Sequence, residues 1–156
     1  MQLARYGRFV FVAQWVAAVL LPVFFFIGRG FLGAELGWMA IIGIVYGAAV
    51  IALMLVPPIL TLFDREGRRL RRTRRAYDIA TFVLWAAFVV AATSVPDSND
   101  SGHLDSAVTT WTGGAIDYEA STSIFTAAAV VAGIAYLAIL GLAIAGIVRG
   151  RRAVAS

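Results

Sequence analysis

Few side chains in this 156-residue sequence are equipped for chemistry, and their surroundings decide what they can do. Gln14, Asp78 and Thr81 stand inside long apolar stretches. A polar group there must find a partner or destabilise the segment that carries it. An aspartate in such a place can carry a proton. Asp78, however, follows Arg71, Arg72, Arg74 and Arg75 so closely that a helix-start carboxylate paired with an arginine is the simpler reading. No acidic residue falls at the centre of an apolar stretch, so a proton-coupled pump lacks a relay.

A second group lies in the polar segment after Pro96. Asp97, Asn99, Ser101, Gly102 and Asp105 match the first, third, fifth, sixth and ninth positions of a calcium-binding EF-hand loop. The twelfth position is Val108, where that loop needs a bidentate glutamate, so the match offers a weak divalent-cation contact at most. Asn99 to Ser101 is also a glycosylation sequon. His103 is the only histidine, and with no cysteine present, paired-histidine metal sites and all thiolate chemistry are excluded. No serine has a matching base in an apolar stretch, and neither a P-loop nor a dinucleotide fingerprint occurs. The sequence therefore predicts no catalytic residue, no enzyme and no cofactor.

What must position these residues is a set of membrane spans. Apolar residues make up 61% and charged residues 14% of the chain, against roughly 45–50% and roughly 25% in soluble domains. Four apolar stretches, 9–27, 38–63, 77–95 and 124–148, predict one all-α domain, an antiparallel bundle of four transmembrane helices. The first is too long for the core of a signal peptide and contains Gln14 and Pro22, so it reads as a permanent helix. Pro57 and Pro58 remove two backbone donors near the end of the second, where a kink is expected. The connection 96–122 is acidic and poor in apolar residues, and should cap the bundle or move freely.

Arginine sets the orientation. Of thirteen basic residues, all arginine, twelve fall at Arg5 and Arg8, from Arg65 to Arg75, or from Arg149 to Arg152. Loops that stay in the cytoplasm keep such an excess, so both termini and the inner loop 64–76 are predicted cytoplasmic, in the plasma membrane. Arg29 is the sole basic residue on the outer side. Arg68, Arg69, Arg71, Arg72, Arg74 and Arg75 should reach lipid phosphates, at roughly 1 kcal/mol per residue near an anionic leaflet. The net charge of +4 thus reads as topology and anionic-lipid contact, with no nucleic-acid partner.

Small residues at helical spacing suggest packing faces: Gly43 with Gly47, Ala129 with Gly133, and Gly141 with Ala145. Whether they meet another span of the chain or a second protomer stays open, as does a homo-oligomer or a larger complex.

The third span begins Tyr77-Asp78-Ile79-Ala80-Thr81-Phe82-Val83-Leu84-Trp85, and the fourth is entered through Ala120, Phe125 and Ala129. With four spans and both ends inside, the chain resembles the MARVEL-type four-helix membrane proteins, whose third span commonly opens on an acidic residue followed by tryptophan. Asp78 and Trp85 take those places. Cysteines often present in that family's outer loop are absent here. The resemblance implies a role in membrane organisation or vesicle-related traffic. Two further readings stand beside a membrane-organising, partner-binding bundle: an accessory subunit of a larger membrane complex, and a small oligomeric transporter or channel lined by Gln14 and span threonines.

Overall fold

The computed structural model describes residues 7–155, with side chains from 7 to 150. Arg5, and the side chains of Arg151 and Arg152, lie outside the described residues. Four helices are long and apolar enough to cross a membrane: α1 (Gly7–Phe26), α2 (Trp38–Thr61), α4 (Arg75–Ser94) and α6 (Tyr118–Ala155). A 3-10 turn, Gly28–Leu32, joins α1 to α2, and the short α3 (Arg65–Leu70) joins α2 to α4. Between α4 and α6 lie an antiparallel hairpin, β1 (Asp97–Asn99) and β2 (Gly102–Leu104), and α5 (Ala107–Trp111).

The apolar stretches locate the helices, and polar capping shifts their ends. α6 starts six residues before the expected 124, because the Asp117 carboxylate accepts the Ala120 N–H at 2.8 Å and draws the polar turn Tyr118–Ser123 into the helix. Asp64 likewise starts α3, accepting from Glu66 and Gly67. Pro57 and Pro58, where a kink or a passage into the interface is expected, lie inside α2, which continues to Thr61. Pro57 cannot donate to the carbonyl four residues before it, which is that of Leu53. The Tyr136 hydroxyl of α6 donates to that oxygen at 2.8 Å instead. One hydroxyl thus both satisfies the Leu53 carbonyl and ties α2 to α6.

A prediction follows from that substitution of donors. Tyr136→Phe should cost about 1 kcal/mol of stability in detergent unfolding. In a Pro57→Ala background the helix regains its own donor, and the same change should cost much less. An equal cost in both backgrounds would mean that the hydroxyl does not serve Leu53.

The core runs along α4 and α6, the most extensively packed pair. Ala87 and Ala91 of α4 and Ala128, Ala135 and Ala143 of α6 are buried, so small side chains bring the two backbones close. Val10, Ala18, Met54, Tyr77, Leu84 and Ile139 complete the packed cluster. α2 is the least covered span, and Ile41, Ile44, Val45 and Tyr46 all face outward. Along α1, Phe9, Val12, Val16 and Leu20 are also exposed. In water such a surface would drive aggregation. Against lipid tails it carries no such penalty.

Candidate functional site

The polar side chains gather in three places. The first is the acidic end of the bundle, where Arg29 and Asp97 are buried. The Arg29 guanidinium donates to the Asp97 carboxylate and, at 3.2 Å, to the Val95 carbonyl. Asp97 also accepts the backbone N–H groups of Gly37 at 2.8 Å, Met39 at 3.0 Å and Ser98 at 2.8 Å. Burial alone would raise the Asp97 pKa, but those three donors and the Arg29 charge outweigh it and hold the carboxyl below its usual range. A folded pKa below the unfolded one gives stability that is complete above the unfolded pKa, about 3.9, and lost as pH falls through the folded value. The melting temperature should therefore drop on acidification below about pH 4, and this part of the drop should vanish in Asp97→Asn. An unchanged acid response in that variant would remove Asp97 as its source.

This arrangement gives Asp97 an arginine as its partner. Asp97 turns inward to Arg29, while Asn99, Ser101 and Asp105 are exposed, and Asn99 accepts the Ser101 N–H across the hairpin turn at 2.8 Å. Among the described residues no three His, Asp or Glu side chains gather as a metal site would require. The segment 96–122 is an ordered cap. Glu35 N–H reaches the Asp105 carbonyl, Thr110 reaches Gly33, and the Trp111 indole N–H donates to Leu32 at 2.7 Å. Underneath, the buried Ser106 and Ser121 hydroxyls pair at 2.7 Å, and Ser121 donates to the Ser94 carbonyl.

The second place is inside the spans. Gln14 accepts from the Tyr77 hydroxyl at 2.7 Å and donates to Thr61 at 3.3 Å, so the ends of α1, α2 and α4 meet through one amide. Thr81 is satisfied locally by the Tyr77 carbonyl. A cavity of about 20 Å³, the size of one water, lies beside Gln14, Tyr77 and Thr81. Beyond it the packing is apolar, through Leu84, Ala87 and Phe88. Asp78 is buried and accepts from Thr73, whose hydroxyl also sits 3.1 Å from the Gly7 carbonyl. The expected arginine partner is replaced by a threonine. Trp85, the other residue of the family resemblance, meets Phe9 and Phe82 edge to face.

The third place is the arginine-rich end. Arg8, Arg65, Arg68, Arg69, Arg71, Arg75 and Arg149 are exposed, and Arg72 is half-buried. Arg74 differs from the other arginines of its loop. It turns inward, bonding Asp64 at 3.2 Å and Glu66 at 3.0 Å, and so braces α3 against α4. Asp64 in turn lies against Gly146 of α6, where an added Cβ would sit 2.8 Å from the carboxylate. This end can present guanidinium groups to anions just where apolar side chains such as Val12, Phe63, Leu70 and Val148 begin.

The small-residue pairs divide. Gly43 packs on α1, and a Cβ there would lie 2.5 Å from Phe26; Gly47 is next to the same ring at 3.7 Å. Ala129, Gly133 and Gly141 are exposed, Ala145 is half-buried, and no atom lies within 4 Å of a Cβ added at Gly133 or Gly141. The seam within the chain runs through other positions, Ala128, Ala135 and Ala143. Sequence reasoning missed the Arg29–Asp97 pair, although a lone arginine among outer acidic residues was its signal. It also missed the Tyr136 contact, which the unpaired Leu53 carbonyl implies. No family model matches this chain, and neither a curated protein nor a solved structure shows significant similarity to it.

Proposed function

We propose that the protein is a non-enzymatic membrane bundle that gathers anionic lipid and partner helices. In this reading the four helices cross the plasma membrane in antiparallel order, with the arginine-rich end and both termini in the cytoplasm. The observation that carries it is the division of labour among charged groups. Arg29 and Arg74, with Asp97 and Asp64, are spent on holding connections in place. The exposed arginines of the opposite end from the cap form a collar beside lipid-compatible side chains, where each is worth roughly 1 kcal/mol toward an anionic leaflet. Exposed acids, Glu35, Asp100, Asp105, Asp117 and Glu119, mark the other end. Asp78 and Trp85 keep the MARVEL-type resemblance as part of the proposal.

The natural absence of cysteine makes the test direct. Ser101→Cys should react with an impermeant maleimide on intact cells, and Arg68→Cys only after permeabilisation. Labelling of Arg68→Cys from outside would overturn the orientation. Discs cut from the membrane by amphipathic polymer should contain anionic phospholipid enriched over the bulk membrane, and a bulk composition would overturn the lipid-gathering role.

A second reading, an accessory subunit, is favoured by α6. Its 38 residues span roughly 57 Å at about 1.5 Å per residue, well beyond a hydrocarbon layer of roughly 30 Å. It carries Ala129, Gly133 and Gly141 on an exposed face. Co-purification of a larger protein at fixed stoichiometry would support this reading over the first.

A further inference from the structure

Arg8 at the start of α1 and Arg69 and Arg71 at the end of α3 line one cleft of about 440 Å³, whose remaining walls are Val12 and Leu70. The three guanidiniums come from segments some sixty residues apart, brought together where Thr73 N–H bonds the Gly7 carbonyl at 3.2 Å. That junction is fixed by close backbone approach, since an added Cβ at Gly7 would lie 2.7 Å from the Thr73 oxygen and 2.9 Å from its nitrogen. Among the described residues none of the three has a carboxylate within 4.0 Å, unlike Arg29 and Arg74. Their charge is therefore available to an outside anion.

The apolar wall decides which anion. Val12 follows Arg8 by one helical turn and Val16 follows by a second, and both are exposed. A ligand that places a phosphate among the arginines is thus offered an apolar strip leading away along α1. A free phosphate would use only the first part. Arg71 adds a separate indication. It ends α3 with φ 49° and ψ 46°, the left-handed region that favours glycine, and it is the sole non-glycine residue with positive φ among the described residues. A glycine there would relieve strain, so an arginine is retained at some cost to the fold.

We infer that this cleft is a defined site for one anionic glycerophospholipid, its phosphodiester held by Arg8, Arg69 and Arg71 and one acyl chain laid over Val12 and Val16. The site deepens the proposed lipid-gathering role and rests on it, turning a diffuse collar into a single seat.

Native mass spectrometry of the full chain in mild detergent tests it, with dioleoylphosphatidylglycerol and dioleoylphosphatidylcholine as probes. One phosphatidylglycerol per chain should be retained in preference to phosphatidylcholine. The triple variant R8Q/R69Q/R71Q should bind it roughly 100-fold more weakly. The charge-matched R65Q/R68Q/R75Q, which alters three collar arginines outside the cleft, should weaken it clearly less than the first triple, since these charges reach the seated lipid only through screening solvent. Equal loss in the two triples, or no loss in the first, would overturn the site. Displacement of the lipid by excess inorganic phosphate would also overturn it, because the acyl chain would then add nothing. R71G separates binding from folding: its melting temperature should not fall, while lipid retention drops at least about fivefold. Undiminished retention in R71G would take Arg71 out of the site. Detergent solution has no sides, so failure here condemns the cleft alone, whereas the cysteine labelling above tests orientation alone.

Discussion

Arg29→Met is expected to destabilise the folded chain by about 3–5 kcal/mol, because it strands the Asp97 carboxylate in a buried position. Arg29 and Asp97 are both almost fully shielded from solvent. Attraction at that depth is strong, and so is the cost of leaving one partner alone. Asp97→Asn should also be costly, since one amide oxygen can keep the Met39 and Ser98 N–H groups but the amide NH2 then faces the Gly37 N–H and the Arg29 guanidinium, two donors it cannot accept from. The double variant Arg29→Met/Asp97→Asn should be more stable than the sum of its parts predicts. Unfolding in mixed micelles, followed by circular dichroism, gives all three values. A single Arg29→Met variant within 1 kcal/mol of the parent would show that the pair is solvated and that the cap is held by other contacts.

Gly37→Ala should cost about 3 kcal/mol, the upper part of the range for overpacking. Gly37 precedes α2, and a Cβ built there overlaps the Ser98 carbonyl oxygen and lies 2.8 Å from the end of Leu104. The obstruction is mainly backbone, which has no rotamer to give way. Relief would push β1 from the start of α2 and stretch the bond from Gly37 N–H to Asp97. The loss should therefore overlap with that of Arg29→Met rather than add to it. Gly133→Ala supplies the contrast. With open space around it and a helical backbone, alanine should be neutral or stabilising by about 1 kcal/mol in the isolated chain. If Gly37→Ala proved equally harmless, the close approach of hairpin and helix would be wrong.

Hydrophobic composition disclosed most of the helical architecture, because a segment of twenty apolar residues has few other options. Each of the four apolar stretches coincides with most of one long helix. Their ends were less legible, since a cap such as Asp117 can recruit polar residues into a helix. Pro57 marked the loss of a helical donor to Leu53, and no local pattern shows that a hydroxyl from α6 replaces it. Which small residues of α6 face the rest of the chain was not legible, for a simple reason. Alanine occupies most faces of that helix, so local spacing has no phase until a partner is known. Arg74 looked like its neighbours in the charge run, and only the path of α3 toward α4 turned it onto Asp64 and Glu66. The cleft at Arg8, Arg69 and Arg71 was equally hidden, because it joins segments that no short window contains.

Biogenesis inherits the distance between the two halves of the Arg29–Asp97 ion pair. Asp97 is synthesised 68 residues after Arg29, a delay of roughly 3–14 s at about 5–20 residues per second. Throughout that interval the guanidinium lacks the carboxylate that it meets in the finished fold. Closure of the pair thus requires that α4 is finished, so a partly made chain differs from the folded one in an arginine left without its buried partner.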